Sequence, residues 1–238
     1  MQDNSLFEAK LYKPSAIIQA DKNEIGFLAQ KQFNALLYCV KNGYTTSPYD
    51  LCRNDFDYVH NNKDIFDYVD HAIPISVLKH FSRYKSRDTA AFKTQLRNLS
   101  RAKCSFNILG KDNSIKAGMQ INFIQILGLD NKDSSFEDVL DKKPDGYMFF
   151  SFSNIIQDYI EKKHIGTNIL LDVDYKNQYA MTLSELIFDY AGTDNFLGKK
   201  SIKKLAAIIG GTKYLNISFA KFRQTCLEPA MKVINSLP

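Results

Sequence analysis

Apolar residues recur at helical spacing early in the chain: Phe27, Leu28, Phe33, Leu36, Leu37 and Val40. The pattern predicts a helix capped by Asn23 and ended by Asn42-Gly43. Residues 50–70 interleave acids with Phe56, Tyr58, Phe66 and Tyr68 and read as short helices or turns. From Pro74 the pattern sharpens. A short helix carries Ile75, Leu78 and Phe81, and the polar turn Lys85-Ser86-Arg87 follows. Asp88 can then cap a helix reaching about residue 102. In that helix Phe92, Leu96 and Leu99 share one face, while Lys93, Arg97 and Arg101, spaced by four, share another. A strand over 103–109, a polar loop over 110–114 that includes Lys111, and a second strand over 119–127 complete the segment. Helix, turn, basic helix and β-hairpin is the order of a winged helix-turn-helix, whose second helix enters the major groove beside the hairpin.

The second half repeats that order loosely. Residues 129–146 are polar and acidic, end in Lys143-Pro144-Asp145-Gly146, and read as an interdomain linker. An alternating strand is predicted over 147–152, then helices over 153–163, 177–191 and 201–209, the last stopped by Gly210-Gly211. A longer helix over 219–234 makes Phe219, Phe222, Cys226 and Val233 available to a core. Pro229 within it predicts a kink or break near 225–227. The expectation is an α+β protein with two winged helix-turn-helix domains in tandem, at 1–140 and 147–238, mostly helical with small hairpin wings.

The chain has 238 residues, room for two domains of roughly 100 residues each. It is 45% hydrophobic and 24% charged, which argues against disorder. No run approaches the ~18 apolar residues of a membrane span. The first sixteen residues lack the apolar core of a signal peptide, so a cytoplasmic setting is expected. Cys39, Cys52, Cys104 and Cys226 form no CxxC pair and read as reduced thiols.

Charge changes the picture more. Lys79, Arg83, Lys85, Arg87, Lys93, Arg97, Arg101 and Lys103 stand against Asp88 alone, and Lys199, Lys200, Lys203, Lys204, Lys213, Lys221, Arg223 and Lys232 against Glu228 alone. Two basic clusters on a chain of net charge only +5 look like two footprints for a polyanion.

Catalytic alternatives lack their residues. His60, His71, His80 and His164 contain no His-x-His pair for a nicking centre. Gly192 stands one residue too early, and Lys200 replaces the hydroxyl residue, for Gly198-Lys199 to close a phosphate loop. Asp172 and Asp174 read as exposed acids on a strand rather than metal ligands. No enzyme, cofactor or metal is therefore expected. The candidate DNA-binding residues are Lys85, Arg87, Lys93, Arg97, Arg101 and Lys111 in the first half, with Thr94 and Asn98 beside them. In the second half they are Lys203, Lys204, Lys213, Lys221, Arg223 and Gln224. Cations neutralise phosphates, and Arg, Asn or Gln on a groove-facing helix can read base edges.

The order Ser201-Ile202-Lys203-Lys204-Leu205, Gly210-Gly211, Tyr214, Ser218-Phe219-Ala220-Lys221-Phe222-Arg223 leads into Leu227-Glu228-Pro229-Ala230-Met231-Lys232-Val233-Ile234-Asn235. With Tyr179-Ala180-Met181-Thr182-Leu183-Ser184-Glu185-Leu186, and more loosely the helix around Leu28–Leu37, it resembles the iteron-binding plasmid replication initiators, which are tandem winged-helix proteins. The resemblance runs from about Glu24 to the C-terminus. Thr182 and Ser184 depart from it, standing where the family has arginine and an aromatic. The family also continues past the position of Asn235 into a hairpin, so a reduced or missing second wing is expected. The resemblance implies binding to directly repeated origin DNA, opening of the adjacent duplex, and recruitment of host initiator and helicase proteins. It also implies homodimers formed through the N-terminal domain. A winged-helix transcriptional regulator at an inverted-repeat operator is the alternative. A pure protein-interaction module would leave both basic helices unexplained.

Overall fold

The computed structural model describes residues 10–18, 22, 25–51, 70–109, 115–127, 147–161, 166–170, 175–191 and 201–237. In chain order these form β1 (Lys10–Pro14), α1 (Ser15–Ile18), α2 (Phe27–Lys41), α3 (Pro48–Leu51), β2 (His71–Pro74), α4 (Ile75–Phe81) and α5 (Thr89–Arg101). Then come β3 (Lys103–Leu109), β4 (Ile115–Asn122), β5 (Ile124–Leu127), β6 (Tyr147–Phe152), α6 (Asn154–Glu161), β7 (Gly166–Leu170) and α7 (Gln178–Ala191). The last are α8 (Ile202–Ile208), α9 (Thr212–Leu215), α10 (Phe219–Phe222), a π-helical turn (Arg223–Leu227) and α11 (Glu228–Asn235). The class is α+β, with more helix than strand among the described residues and only small antiparallel sheets. No helix among them is long and apolar enough to cross a membrane.

The chain divides into two units, one of residues 25–163 and the other of residues 1–24 with 164–238. In the first, α2 packs on α4 and α5. Phe33 of α2 meets Phe123 edge-on, with ring centroids 4.7 Å apart, and Phe152 of β6 at 6.1 Å. Phe92, Leu96 and Leu99 of α5 are wholly buried, which is what their spacing on one helical face requires. Asp88 caps α5, its carboxylate accepting from Ala91 N at 2.9 Å. A three-stranded antiparallel sheet runs β2-β6-β5, and β3 pairs with β4 as a separate hairpin.

In the second unit β1 pairs antiparallel with β7, and α7 packs on α1 and α11. The segment Ala180–Leu186 of α7 is buried all round. It holds Glu185, whose Oε2 lies 2.9 Å from Lys13 Nζ and 3.5 Å from Lys22 Nζ, all three side chains inside. Thr182 and Ser184 are buried as well. Thr182 Oγ1 donates to Gln178 O, and Ser184 Oγ bonds the Tyr175 hydroxyl. Small hydroxyl residues fit here because the helix is enclosed at both positions.

Several expectations are corrected. The domain boundary does not fall at 140–147. Strand 147–152 is the centre of the first unit's sheet, bonded to β2 and β5, and residues 10–18 and 22 belong with the C-terminal unit. That strand does not alternate: Met148 to Phe152 are all buried, as a central strand covered on both faces must be. The expected strand 119–127 is two strands, β4 and β5, which break at Phe123 and join different sheets. Helix α2 starts at Phe27 with Gly26 at its cap position and no side-chain cap, so Asn23 does not cap it. Phe219, made available to the core by its spacing, is about half exposed. Residues 52–69, the linker 129–146, Lys111, Asp172, Asp174 and the glycines at 192 and 198 lie outside the described residues.

Candidate nucleic-acid interface

The first candidate surface is built on α4, the turn after it, and α5. Arg83 stands in the left-handed region (φ 56°), where glycine is usually found, and its N–H returns to His80 O. Tyr84 N donates to Lys79 O, closing α4, and the Tyr84 ring packs on Phe92 at 4.9 Å. Ser86 Oγ accepts from Asp88 N just before the cap. The turn is thereby held from both ends, and it presents Lys85 and Arg87 to solvent.

With Phe92, Leu96 and Leu99 inward, the exposed ridge of α5 is Ala90, Ala91, Thr94, Asn98 and Arg101. Arg97 lies half-buried at the edge of this ridge, so Arg97 and Arg101 do not share one open face as their spacing suggested. Lys93 is on the helix backbone, but its side chain lies outside the description. Thr94 and Asn98 therefore take the centre, flanked by cations. Lys103 opens β3 immediately after, also exposed.

The second surface is built on α8, α9 and the helix from Phe219 to Asn235. Ser201 Oγ accepts from Lys204 N and caps α8, leaving Ile202, Lys203 and Lys204 exposed. Gly210 (φ 74°) ends α8. Gly211 lets the chain pass close to the next helix: a Cβ there would sit 2.6 Å from a Phe222 ring carbon and 3.1 Å from Cys226 Sγ. The short α9, which the spacing did not predict, carries Lys213 over the Tyr214 ring at 4.9 Å. Tyr214 in turn meets Tyr179 of α7 edge-on at 6.4 Å.

Ser218 caps the final helix through Lys221 N. Phe222, Cys226 and Ala230 are wholly buried at fourfold spacing, and Lys221, Arg223 and Gln224 are exposed. Arg223 Nε contacts Glu228 Oε1 at 3.1 Å. Pro229 does not break the helix. The π turn over Arg223–Leu227 absorbs its missing N–H and its ring, and Glu228 N donates back to Arg223 O.

The two described thiols, Cys39 and Cys226, are poor candidates for chemistry. Burial pushes Cys39 up to about 12, and burial also raises Cys226. The Tyr179 hydroxyl is raised as well, by burial first and then by Cys226 and Tyr214 beside it. Among the described residues no group of three His, Cys, Asp or Glu could hold a metal ion.

The structure thus places Lys85, Arg87 and Arg101 at exposed positions of the first unit, the first two before the start of α5 and the third at its end. It places Lys203, Lys204, Lys213, Lys221, Arg223 and Gln224 on exposed positions of the second. Reasoning from spacing missed Glu228 as the partner of Arg223 and missed the exposure of Ile217 and Phe219. The first depends on the π turn, and the second on which end of the last helix the core leaves uncovered. No family model, no curated protein and no solved structure matches this chain.

Proposed function

We propose that this chain is a sequence-specific double-stranded-DNA-binding protein with a winged-helix unit in each half, and that it initiates replication at directly repeated origin sites. One observation supports it most: α4, a turn held at Arg83, α5 with its apolar stripe wholly buried and its opposite ridge open, and the β3–β4 hairpin directly after. In that arrangement the open ridge of α5 is the groove-facing side, with Lys85 and Arg87 at phosphates beside it. The resemblance to iteron-binding initiators supplies the origin role, the host initiator and helicase as partners, and pairing through the N-terminal unit.

The test is a binding titration of the full chain on duplexes from the DNA flanking its gene, at two salt concentrations. Direct repeats are expected to bind in the nanomolar range, with affinity falling steeply as salt rises. A small plasmid carrying the gene and those repeats should then replicate with no other origin. Binding confined to an inverted repeat at a promoter, with no such replication, would mark a transcriptional regulator instead.

A further inference from the structure

Among the described residues the two most exposed large apolar side chains are Ile217, at 69%, and Phe219, at 49%. They flank Ser218, the cap of the last helix, and the whole run 216–221 is exposed. A single exposed isoleucine needs no explanation. Two apolar groups at the head of a helix make an apolar spot, with exposed Lys213 before it in the chain and exposed Lys221 and Arg223 after. Phe219 stands four residues before Arg223, so the two are neighbours on one ridge.

We infer that Ile217 and Phe219 read a thymine: the duplex bound by this unit carries one whose 5-methyl group packs against Phe219, with Ile217 covering its outer side. This rests on the DNA-binding reading above. The charge around the spot selects the occupant. A second copy of the chain would bring the same lysines face to face, which like charges oppose. A DNA groove instead supplies phosphates for the cations and one apolar feature for the ring. Thymine alone among the four bases presents a methyl group in the major groove. The four residues from Phe219 to Arg223 advance about 6 Å along the helix, so this thymine lies about two base-pair steps from the base met by Arg223.

The experiment selects duplexes from a random-sequence pool with the full chain. It then replaces each thymine of the selected sequence by uracil, which lacks only the methyl. At one or two positions uracil is expected to weaken binding about fourfold, the worth of one buried methylene-sized group. That penalty should vanish in an I217A/F219A double variant and persist in Phe219→Leu, which keeps an apolar contact. Equal affinity for uracil and thymine at every position, or an unchanged penalty in the double variant, overturns the inference while DNA binding stands. No enrichment from the pool overturns the DNA-binding reading and this inference with it. Sedimentation of the DNA-free chain adds a further arm: dimers that the double variant abolishes would assign the spot to self-association.

Discussion

Arg223 Nε lies 3.1 Å from Glu228 Oε1, five residues along the same helix, and the π turn between them brings the two side chains to one side. In a regular α-helix, residues five apart point about 140° away from each other. Here the backbone bond from Glu228 N to Arg223 O spans five residues and realigns them. The contact uses Nε, and the two outer nitrogens of the guanidinium are the pair that a guanine edge accepts.

Arg223→Ala is therefore expected to relax sequence preference, with a loss of roughly 1–3 kcal/mol at one base position and little change on scrambled DNA. Glu228→Gln should blunt the same preference while leaving thermal stability almost unchanged, because a pair 54% and 53% exposed contributes about 1 kcal/mol or less. Binding of both variants to the specific site and to a scrambled duplex checks this. An equal loss on the two duplexes would remove base readout from Arg223.

The first unit should behave differently. Arg101 sits on the open ridge of α5 and Arg97 at its edge, both in the half of the helix away from the cationic turn. Arg97→Ala and Arg101→Ala are each expected to weaken binding to all sequences by a similar factor and to lower the salt slope by about one unit. Loss of specific binding alone would reverse the roles assigned to the two units.

Gly211 sets how closely the turn after α8 approaches the last helix. Gly211→Ala would drive a methyl group into Phe222 and Cys226, at the distances already given, and overpacking of this kind costs about 1–3 kcal/mol. Urea unfolding should show that loss. Unchanged stability would mean that the last helix is free to shift away.

Glu185 lies between two buried ammonium groups, those of Lys13 and Lys22. Glu185→Gln removes a buried countercharge from both, and breaking a buried pair in this way costs about 3–5 kcal/mol. The unfolding transition of the unit that contains α7 is expected to move to much lower denaturant. A change below about 1 kcal/mol would show that water reaches these lysines.

His71 gives the fold an acid limit. Burial beside Phe150 and Phe152 lowers its pKa from the usual 6.5, while the Asp70 carboxylate and the Gln157 side chain oppose that shift in lesser measure. A histidine whose pKa is lower folded than unfolded binds more protons when unfolded. Its contribution is thus fully present above 6.5 and is lost as pH falls toward the lowered folded value. His71→Phe should flatten stability against pH across that window, as followed by thermal melting at a series of pH values. A parallel profile in the variant would assign the acid sensitivity to other groups.

Local signals were legible in the sequence wherever cause and consequence lie within a turn or two. Asp88 caps α5, Phe92, Leu96 and Leu99 face inward, and Gly210 ends α8. Helix capping and helical periodicity are short-range physics, so these features follow from neighbouring residues alone. The exposure of Lys203, Lys204, Lys221 and Arg223 follows from the same short-range pattern. Tertiary structure alone decided the strand partners, because a strand's hydrogen bonds go to residues that its own pattern does not name. Residues 147–152 read as an alternating strand and proved to be a central one buried along its length. Residues 10–14 carried no visible partner and pair with 166–170. The same holds for Lys13 and Glu185, which are 172 positions apart. A lysine in a sequence reads as a solvated charge, and only the packed chain places a carboxylate beside it and closes both off from water.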